Sequence, residues 1–345
     1  MKIAVLAGGT STEREVSIVS GTQVCKALMS LGHDAVLADV FLGIDDKAYN
    51  AAFVDKCDVD AAVRYIRSFD DKVEELKKSR KSFWGENILK LCDKADIVFL
   101  ALHGSNGEDG RVQATFDLMG IKYTGSDYVS SAMAMDKSIS KKLFGAKGIP
   151  MPESTVISAD ENPVYPSDLG LEYPVMVKPC CGGSSIGCTI CRNDDDYAEG
   201  IRLAFSLEKN AVVEEYIEGR EFSVAVIGKK AYPVIEIAPK TGYYDYINKY
   251  TEGNTVETCP AVLDEAQTAE IQETAVRAAE ALGLGGCCRA DILMRKSDSR
   301  FFVLELNSLP GLTPTSLIPQ EFAAVGINYA ELCQLIIDIA LEKYQ

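Results

Sequence analysis

Two short apolar segments, each ending in glycine, most constrain the fold of this chain. "KIAVLAGG", residues 2–9, and "ADIVFLALHG", residues 95–104, are predicted to be buried strands that end in glycine turns. Residues 12–32 follow the first strand as a predicted helix, and Gly32 supplies its stop. Apolar strands joined through helices are typical of a parallel sheet whose carboxyl edge carries ligands. The N-terminal part is therefore predicted to be an α/β layer.

The first helix is predicted to cover this sheet with one apolar stripe and to begin with a capping box. The stripe consists of Val16, Val19, Val24, Ala27, Leu28 and Leu31. Thr12 and Glu15 have the S/T-x-x-E spacing of a capping box, which gives Glu15 a structural role. Glu13 takes no part in that pair. It would lie at the mouth of the first strand and turn, where it could hold a substrate ammonium group.

The net charge limits the partners that the chain can bind. Lys and Arg number 35 against 51 Asp and Glu, and the resulting charge of −16 repels nucleic acid and anionic membrane surfaces. Any phosphate group must therefore be bound by a few local lysines, backbone amides or metal ions. No apolar stretch approaches the ~20 residues that span a bilayer, and the N-terminal apolar run is too short for a secretory signal.

Cysteine usage favours a cytoplasmic location. The 11 cysteines are an odd number, and Cys25, Cys92 and Cys333 lie within apolar segments, which indicates reduced thiols. Cys188 and Cys191 have C-x-x-C spacing, but no second such pair or histidine cluster completes a zinc site.

The length of 345 residues exceeds one hydrophobic core, so two or three packed units are expected. Residues 145–154, "GAKGIPMPES", combine two glycines with two prolines and have the composition of a hinge. Beyond this segment, apolar strands at 173–179, 210–219, 220–228 and 231–239 precede a long helix at 264–284. The fold class is therefore α/β, with α+β character in the C-terminal half.

A pair of strands near the C-terminus places polar side chains on one face. "CRADILM", residues 288–294, and "FFVLELN", residues 301–307, flank a polar turn and are predicted to form an antiparallel hairpin. If their polar faces coincide, Asp291, Glu305 and Asn307 converge. Three oxygen donors of net charge −2 suit Mg²⁺, which usually shares its ligand shell with substrate phosphates. The alternative is a solvent-facing strand pair with scattered polar residues, which the apolar setting disfavours.

Two glycine-bounded loops are candidates for binding and covering a phosphate. "GGSSIG", residues 182–187, follows Lys178, and a lysine with loop amides can hold a phosphate group. The loop lacks the G-K-[ST] ending of a P-loop, so a mobile linker is the alternative. "GYYDYINKY", residues 242–250, concentrates four tyrosines with Lys249, which fits a loop that closes over a site. Core packing or an interface is the alternative for this aromatic cluster.

Taken together, these residues resemble the D-alanine–D-alanine ligase family of the ATP-grasp superfamily. The matching motifs follow in order along nearly the whole chain: "GGTSTEREVS" (8–17), "ALHGSNGEDG" (101–110), "YTGS" (123–126), "AMDKSISK" (134–141), "VKPCCGGSSIG" (177–187), "EEYIEGREFSVAV" (214–226), "YYDYINKY" (243–250), "CRADILM" (288–294) and "ELNSLPGLTPTSLIP" (305–319). The resemblance implies an N-terminal parallel-sheet domain at 1–136. It also implies two α+β domains, a central ATP-grasp domain at 137–222 and a catalytic domain at 223–345, which clamp ATP.

The resemblance also implies a reaction and its partners. ATP phosphorylates the carboxylate of one D-alanine, and the amine of a second attacks the acyl phosphate to give the dipeptide for peptidoglycan precursor synthesis. Two Mg²⁺ ions are expected, with Mn²⁺ as a possible substitute. The expected protein is a cytoplasmic homodimer that binds neither nucleic acid nor membranes.

The residues that the resemblance assigns fall into four groups. The nucleotide is expected to contact Lys137, Lys178, Glu214, Glu215, Ile217, Glu221 and Lys249. The metal ions are expected to bind Asp291, Glu305 and Asn307. The catalytic group is expected to comprise Glu13, which binds the first ammonium, Ser184 and Tyr250, which hydrogen-bond to Glu13, and Arg289 and the Gly311 amide, which stabilise the oxyanion. His103 is expected near the first D-alanine, and Ser316 and Leu317 are expected at the carboxylate of the second.

The sequence leaves two alternatives to this function open. Relatives that use D-lactate or D-serine as acceptor are one class, but Tyr250 favours an amine acceptor and Leu317 favours a compact apolar acceptor pocket. Thr315 stands where relatives often have histidine, which alters the acceptor side without removing a ligand. An inert nucleotide-binding regulatory protein on the same fold is a different class. The intact set of charged site residues disfavours it.

Overall fold

The structure is a computed structural model that describes residues 1–160, 164–242, 244, 248 and 253–345. The N-terminal part contains β1 (Lys2–Ala7), α1 (Arg14–Ser30), β2 (Asp34–Asp39), α2 (Asp46–Ala51), α3 (Val59–Arg67), α4 (Val73–Ser79), α5 (Ile88–Lys94), β3 (Ile97–Leu100), α6 (Arg111–Met119) and α7 (Tyr128–Met135). Its three strands pair in parallel in the order β2-β1-β3. The predicted parallel sheet is therefore confirmed.

The face of α1 that packs on this sheet differs from the predicted stripe. Its buried residues are Ser17, Ile18, Ser20, Gly21, Val24, Cys25 and Leu28, whereas Leu31 follows the helix and is exposed. The Ser17 hydroxyl accepts from the Gly8 amide at 2.8 Å and donates to the Ala101 carbonyl at 2.6 Å. Small polar residues face the sheet because its carboxyl edge presents backbone groups that need hydrogen-bond partners.

The predicted capping box is also wrong. The first residue of α1 is Arg14, and Glu13 occupies the N-cap position without a side-chain capping bond. The Glu15 carboxylate accepts hydrogen bonds from Arg67 at 2.5 and 3.0 Å, which turns it toward α3.

The second part of the chain folds around a four-stranded antiparallel sheet. Its elements are α8 (Lys137–Ala146), β4 (Ser154–Ser158), β5 (Val175–Pro179), β6 (Thr189–Cys191), α9 (Asp194–Leu207) and β7 (Asn210–Glu215). The strand order is β4-β7-β5-β6, and α9 packs on this sheet through Tyr197 and Ala204. The Gly-Ser loop at 182–187 connects β5 to β6 at one end of this sheet.

The last part contains the largest sheet. Its elements are β8 (Gly219–Ile227), β9 (Lys230–Ala231), β10 (Ile235–Pro239), β11 (Thr255–Thr258), α10 (Glu265–Leu282), β12 (Cys287–Arg295), β13 (Phe301–Asn307), α11 (Leu317–Ala323) and α12 (Tyr329–Glu342). The order is β11-β10-β8-β12-β13, with β9 paired to β8. Helix α10 covers one face of the sheet. Residues of α12, including Ile336 and Ile337, join the core beneath α1.

The sheets indicate where the units of the chain divide. The expected boundary between residues 222 and 223 falls within β8, whose residues already pair with β10 and β12. We propose a boundary between β7 and β8 instead. The hinge-like segment 145–154 contributes Ile149 and Met151 to the core of the largest sheet. Among the described helices, none is long and apolar enough to cross a membrane.

Candidate active site

The hairpin of β12 and β13 brings the predicted metal ligands together. The strands pair antiparallel, with Asp291 opposite Glu305 and Arg289 opposite Asn307. The amide nitrogen of Asn307 donates to Asp291 Oδ2 at 3.1 Å, which leaves its amide oxygen for a cation. The predicted hairpin and the convergence of its polar faces are therefore confirmed.

Arg289 holds the Asp291 carboxylate in place. Its Nε and one terminal nitrogen donate to the two Asp291 oxygens, each at 2.8 Å. Burial alone would lower the pKa of Arg289, but the Asp291 charge outweighs burial and raises it, so the guanidinium stays charged. This bidentate pair fixes both groups on a rigid strand.

The donor set fits a magnesium ion that completes its shell with substrate oxygens. Two carboxylates and one amide oxygen are hard ligands, and neither cysteine nor histidine is among them. Within the described part of the chain, no group of three or more His, Cys, Asp or Glu side chains could hold a metal ion. A cation at Asp291, Glu305 and Asn307 must therefore share its coordination with a bound phosphate or water.

Two lysines with largely buried side chains lie on the same side of the cleft as these carboxylates. Lys137, the first residue of α8, has its Nζ 3.0 Å from Glu305 Oε2 and donates to the Gly182 carbonyl at 2.8 Å. Lys178, on β5, pairs with Glu214. Burial would lower the pKa of both lysines, but the carboxylate partner of each outweighs burial and raises it. Both therefore carry a positive charge into the cleft.

Lys141 belongs to the same network and was not predicted from the sequence. Its Nζ lies 2.8 Å from Glu214 Oε2, and both side chains are almost fully buried. Burial alone would raise the pKa of Glu214. The charges of Lys141 and Lys178 outweigh burial and lower this pKa to about 2. The spacing of Lys137 and Lys141, four residues apart on α8, places both on one helix face and could have revealed the second lysine.

A cleft of about 440 Å³ joins these groups to the predicted nucleotide residues. Its lining includes Lys137, Lys178, Glu214, Glu215, Ile217, Glu221, Asp291 and Glu305. The side chain of Glu215 already accepts from Arg295 at 3.2 Å and from the Glu153 amide at 3.2 Å. The expected contact between the backbone of Glu215 and a nucleotide stays a prediction. Met176 and Leu293 supply apolar surface to the same cleft, as is usual for a small-molecule site.

A second group of residues lies beside the hairpin. The Ser184 hydroxyl donates to the Glu13 carboxylate, as predicted, and so connects the Gly-Ser loop to the start of α1. Ser184 and Ser185 have positive φ angles of 51° and 58°, so this loop carries local backbone strain. Glu13 and Ser184 lie far apart in sequence but line one small cavity with Asn307.

Glu108 also lines this cavity and was not predicted. It accepts from the Gly104 amide at 2.8 Å and from the Leu309 amide at 3.3 Å. Burial, followed by the charge of Glu13, raises the pKa of Glu108 to about 8. Of residues 101–110, only His103 was predicted to belong to the site.

His103 links α1 to the segment that follows β13, because both of its ring nitrogens have protein partners. Nδ1 donates to the Leu309 carbonyl at 2.9 Å, and Nε2 lies 3.3 Å from the Ser20 hydroxyl. Burial lowers the pKa of His103 despite the charge of Glu13, which favours the neutral ring. This placement suits a residue that holds α1 against residues 309–311, Leu-Pro-Gly, which we call the Pro-Gly segment.

The predicted acceptor residues adjoin that segment. The Ser316 hydroxyl accepts from the Thr313 amide at 3.0 Å, and a Cβ at Gly311 would lie 3.0 Å from the Ser316 oxygen. Glycine therefore allows this close approach. Leu317 is buried with Ile235 and Ile237, so its side chain belongs to the core. That Leu317 makes the acceptor pocket compact and apolar stays a prediction.

The predictions for Lys249 and Tyr250 lie outside the described residues. Within the same segment, Tyr244 is described, and its carbonyl accepts from the Ser185 hydroxyl at 3.1 Å. The tyrosine-rich segment thus contacts the Gly-Ser loop at this point.

Comparison with protein families identifies relatives along the chain. The family model described as D-ala D-ala ligase N-terminus matches residues 2–126, and D-ala D-ala ligase C-terminus matches residues 143–338. The D-alanine–D-alanine ligase of Pediococcus pentosaceus is 42% identical over 98% of this chain and 97% of its own length. That of Lacticaseibacillus casei is 39% identical over 100% of this chain and 97% of its own length.

Solved structures agree with the sequence relatives. The D-alanine–D-alanine ligase from Bacillus anthracis complexed with ATP has a TM-score of 0.75 at 27% identity, and the match covers 99% of this chain and 98% of that one. The ligase from Coxiella burnetii has a TM-score of 0.79 at 26% identity, and the match covers 99% of this chain and 94% of that one.

Replacing Lys141 with methionine should destabilise the fold. Removing one partner leaves the buried Glu214 charge with a single lysine, so we expect the free energy of unfolding to fall by about 3 kcal/mol. The exposed neighbour Lys142 is the control, because Lys142→Met should change stability by no more than about 0.5 kcal/mol. Urea unfolding monitored by circular dichroism gives both values.

The pH dependence provides the second readout for Lys141→Met. The pKa of Glu214 is lower in the folded protein than its ordinary value of 4.5, so the ionised carboxylate stabilises the fold at pH values above 4.5. This contribution disappears as the pH falls toward about 2. The variant should lose less stability over this range than the parent. Equal acid dependence of the two proteins would contradict the assigned network.

Proposed function

The chain belongs to the D-alanine–D-alanine ligase family, and we propose that it joins two D-alanines with conversion of ATP to ADP and phosphate. The relatives that carry this name match the whole chain, and one structural neighbour contains ATP. The observation that carries the proposal is the cleft in which Lys137 and Lys178 face Glu305 and Asp291. These are the charges needed to bind a nucleotide and transfer its phosphoryl group in a protein of net charge −16.

Lys137 and Lys178 would bind the phosphates of ATP. Both side chains are largely buried and held by carboxylates, so they lose little conformational freedom when a ligand arrives. Ile217 and Glu221 line the same cleft and would contact the nucleoside, together with the backbone of Glu215. Lys249 would add a further charge toward the phosphates.

Asp291, Glu305 and Asn307 would hold Mg²⁺, with two ions bound, and Mn²⁺ would substitute for it. When bound, the metal neutralises charge on the phosphate oxygens and orients the transferred group. The protein contributes the spacing of the ligands, which the paired strands β12 and β13 set. Arg289 fixes the Asp291 carboxylate against rotation.

Glu13 would bind the ammonium of the first D-alanine and so present its carboxylate to ATP. The Ser184 hydroxyl orients the Glu13 carboxylate, and Tyr250 would complete this hydrogen-bonded set. His103 fixes the adjacent Pro-Gly segment through the Leu309 carbonyl. This arrangement would hold the reacting carboxylate in one position, which is a large part of what such a reaction requires.

The second D-alanine would attack the acyl phosphate from the side of the Pro-Gly segment. Arg289 and the Gly311 amide would stabilise the oxyanion that develops on the attacked carbon, since fixed donors in a buried site need little reorganisation. The Ser316 hydroxyl and the backbone at Leu317 would hold the carboxylate of the second substrate. In the folded chain, the Ser316 hydroxyl lies close to the backbone of Gly311.

We propose that the enzyme works as a homodimer in a reducing cytoplasm. All eleven cysteines are free thiols, which suits a reducing compartment. The exposed apolar side chains of Leu118 and Met119 end α6, and those of Tyr128 and Val129 begin α7. These four side chains are candidates for burial between copies of the chain.

An acceptor panel tests the proposed reaction. The protein with ATP and Mg²⁺ receives D-alanine alone or together with D-serine or D-lactate, and we measure phosphate release and product masses. D-alanyl-D-alanine should be the main product in each case, because the retained tyrosine at 250 favours an amine and a compact acceptor site favours a methyl group. A dominant D-serine or D-lactate product would contradict this specificity. No phosphate release with any acceptor would indicate an inert nucleotide-binding protein.

Glu305→Gln tests the metal assignment. Replacing the carboxylate with an amide keeps its size but removes charge from the cation site, so we expect kcat to fall by roughly 100-fold or more. Glu270→Gln, at an exposed site on α10, is the control and should leave kcat unchanged. Initial rates over a Mg²⁺ series and circular dichroism of both variants provide the comparison. A near-normal rate at saturating Mg²⁺ would refute Glu305 as a ligand.

A further inference from the structure

The turn that precedes α11 contains a residue proposed to hold the second substrate. Residues 313–316, which we call the acceptor turn, are closed by a hydrogen bond from the Ser316 amide to the Thr313 carbonyl at 2.9 Å. The Ser316 hydroxyl lies 2.7 Å from the Thr313 hydroxyl, whereas Pro314 and Thr315 at the tip of the turn are exposed. These bonds fix the shape of the turn, and its direction depends on contacts that other residues make to it.

The side chain of Gln320, on α11, reaches back to the acceptor turn. Its Nε2 donates to the Thr315 carbonyl at 3.1 Å and lies 3.5 Å from the Ser316 carbonyl. Because a peptide unit is planar, holding these carbonyls also sets the direction of the amides that share their planes, those of Ser316 and Leu317. The backbone at Leu317 is proposed to hold the acceptor carboxylate, so Gln320 would orient this group without contacting the substrate.

Gln320 is in turn held by a carboxylate on the edge strand of the largest sheet. Its Nε2 also donates to Glu257 Oε2, and Glu257 lies on β11 opposite Ile237 of β10. A hydrogen bond to a charged acceptor is stronger than one between neutral groups. Since a free glutamine side chain samples many rotamers, this contact selects the rotamer that reaches the acceptor turn.

Strand β11 also contacts the tyrosine-rich segment 242–250. The Thr255 hydroxyl, on β11, donates to the Asn248 carbonyl at 2.7 Å. Tyr244, from the same segment, packs against the apolar cluster that contains Leu317. The bond between Glu257 and Gln320 therefore joins the acceptor turn to a strand that contacts the segment predicted to close over the site.

We propose that Glu257 and Gln320 are positioning residues for the second D-alanine. They hold the acceptor turn in the direction in which Ser316 and the backbone at Leu317 bind the carboxylate of that substrate. This inference rests on the proposed ligase function, because it assigns a role within the acceptor site. Neither Glu257 nor Gln320 lines the nucleotide cleft, so the pair acts on binding of the acceptor and not on formation of the acyl phosphate.

Separate assays of the two steps, on the full-length protein with ATP and Mg²⁺, test this role. Excess hydroxylamine attacks the acyl phosphate to give D-alanine hydroxamate and phosphate, and it has no carboxylate for the acceptor turn to hold. Gln320→Leu removes the amide and keeps an apolar stem of similar size. We expect the KM of D-alanine as acceptor to rise roughly tenfold. The KM of ATP and the rate of hydroxamate formation should stay within about twofold of the parent.

Gln334→Leu is the matched control. Gln334 lies on α12, is half-buried like Gln320, and donates from Nε2 to a carboxylate oxygen, Asp338 Oδ1, at 2.7 Å. It lines neither the nucleotide cleft nor the small cavity beside the hairpin. Its substitution should leave the acceptor KM unchanged. Equal increases in the two variants would indicate general loosening of the fold and would overturn the positioning role.

Substitutions at Glu257 separate hydrogen bonding from packing. Glu257→Gln keeps an oxygen that accepts from Gln320, so the acceptor KM should stay within about threefold of the parent, whereas Glu257→Leu should raise it well beyond that. The double variant Glu257→Leu with Gln320→Leu should be no worse than Gln320→Leu alone, because both changes remove the same contact. Additive effects of the two substitutions would contradict a functional pair.

Failure of this inference and failure of the ligase function give different results. A parent protein that forms neither hydroxamate nor dipeptide would refute the ligase function, and the positioning role with it. If the parent forms both products and Gln320→Leu keeps the acceptor KM of the parent, only the positioning role is wrong. Circular dichroism verifies folding, and if Gln320→Leu does not fold, the difference between Glu257→Gln and Glu257→Leu decides the question.

Discussion

The register between β12 and β13 is the constraint on which the rest of the site depends. With Asp291 opposite Glu305 and Arg289 opposite Asn307, the polar side chains share one face, and Ala290 lies in the core beneath α10. Because side chains alternate along a strand, a slip of one residue would bury the carboxylates and expose the apolar set. The hydrophobic core therefore fixes the position of the proposed metal ligands.

Burial of charge determines how the other elements assemble around this hairpin. Lys137 reaches Glu305 from α8, and Glu214 on β7 pairs with Lys178 on the neighbouring strand and with Lys141 on α8. Each of these groups would be costly to bury alone, so the two sheets and α8 are held in one relative arrangement by their ion pairs. The same charges leave a cleft suited to a polyanionic substrate in an otherwise acidic protein.

The sequence predicted features set by local periodicity and missed those set by tertiary contacts. The parallel strands and the β12–β13 hairpin follow from apolar patterns, and the Ser184 contact to Glu13 follows from family resemblance. The capping box failed because Arg67, distant in sequence, draws Glu15 away from the helix start. The buried face of α1 was misplaced because Ser17 is buried through hydrogen bonds to strand ends, which no hydrophobic pattern reveals. Lys141 and Glu108 were missed because their partners lie on other elements.

Crystals grown with Mn²⁺ and a non-hydrolysable ATP analogue would show where the metal ions bind. Anomalous scattering from Mn²⁺ identifies each ion without reference to the surrounding geometry. We expect peaks at about 2.0–2.3 Å from oxygens of Asp291, Glu305 and Asn307 and of the analogue's phosphates. Mn²⁺ bound to the phosphates with no contact to these three side chains would contradict the metal assignment.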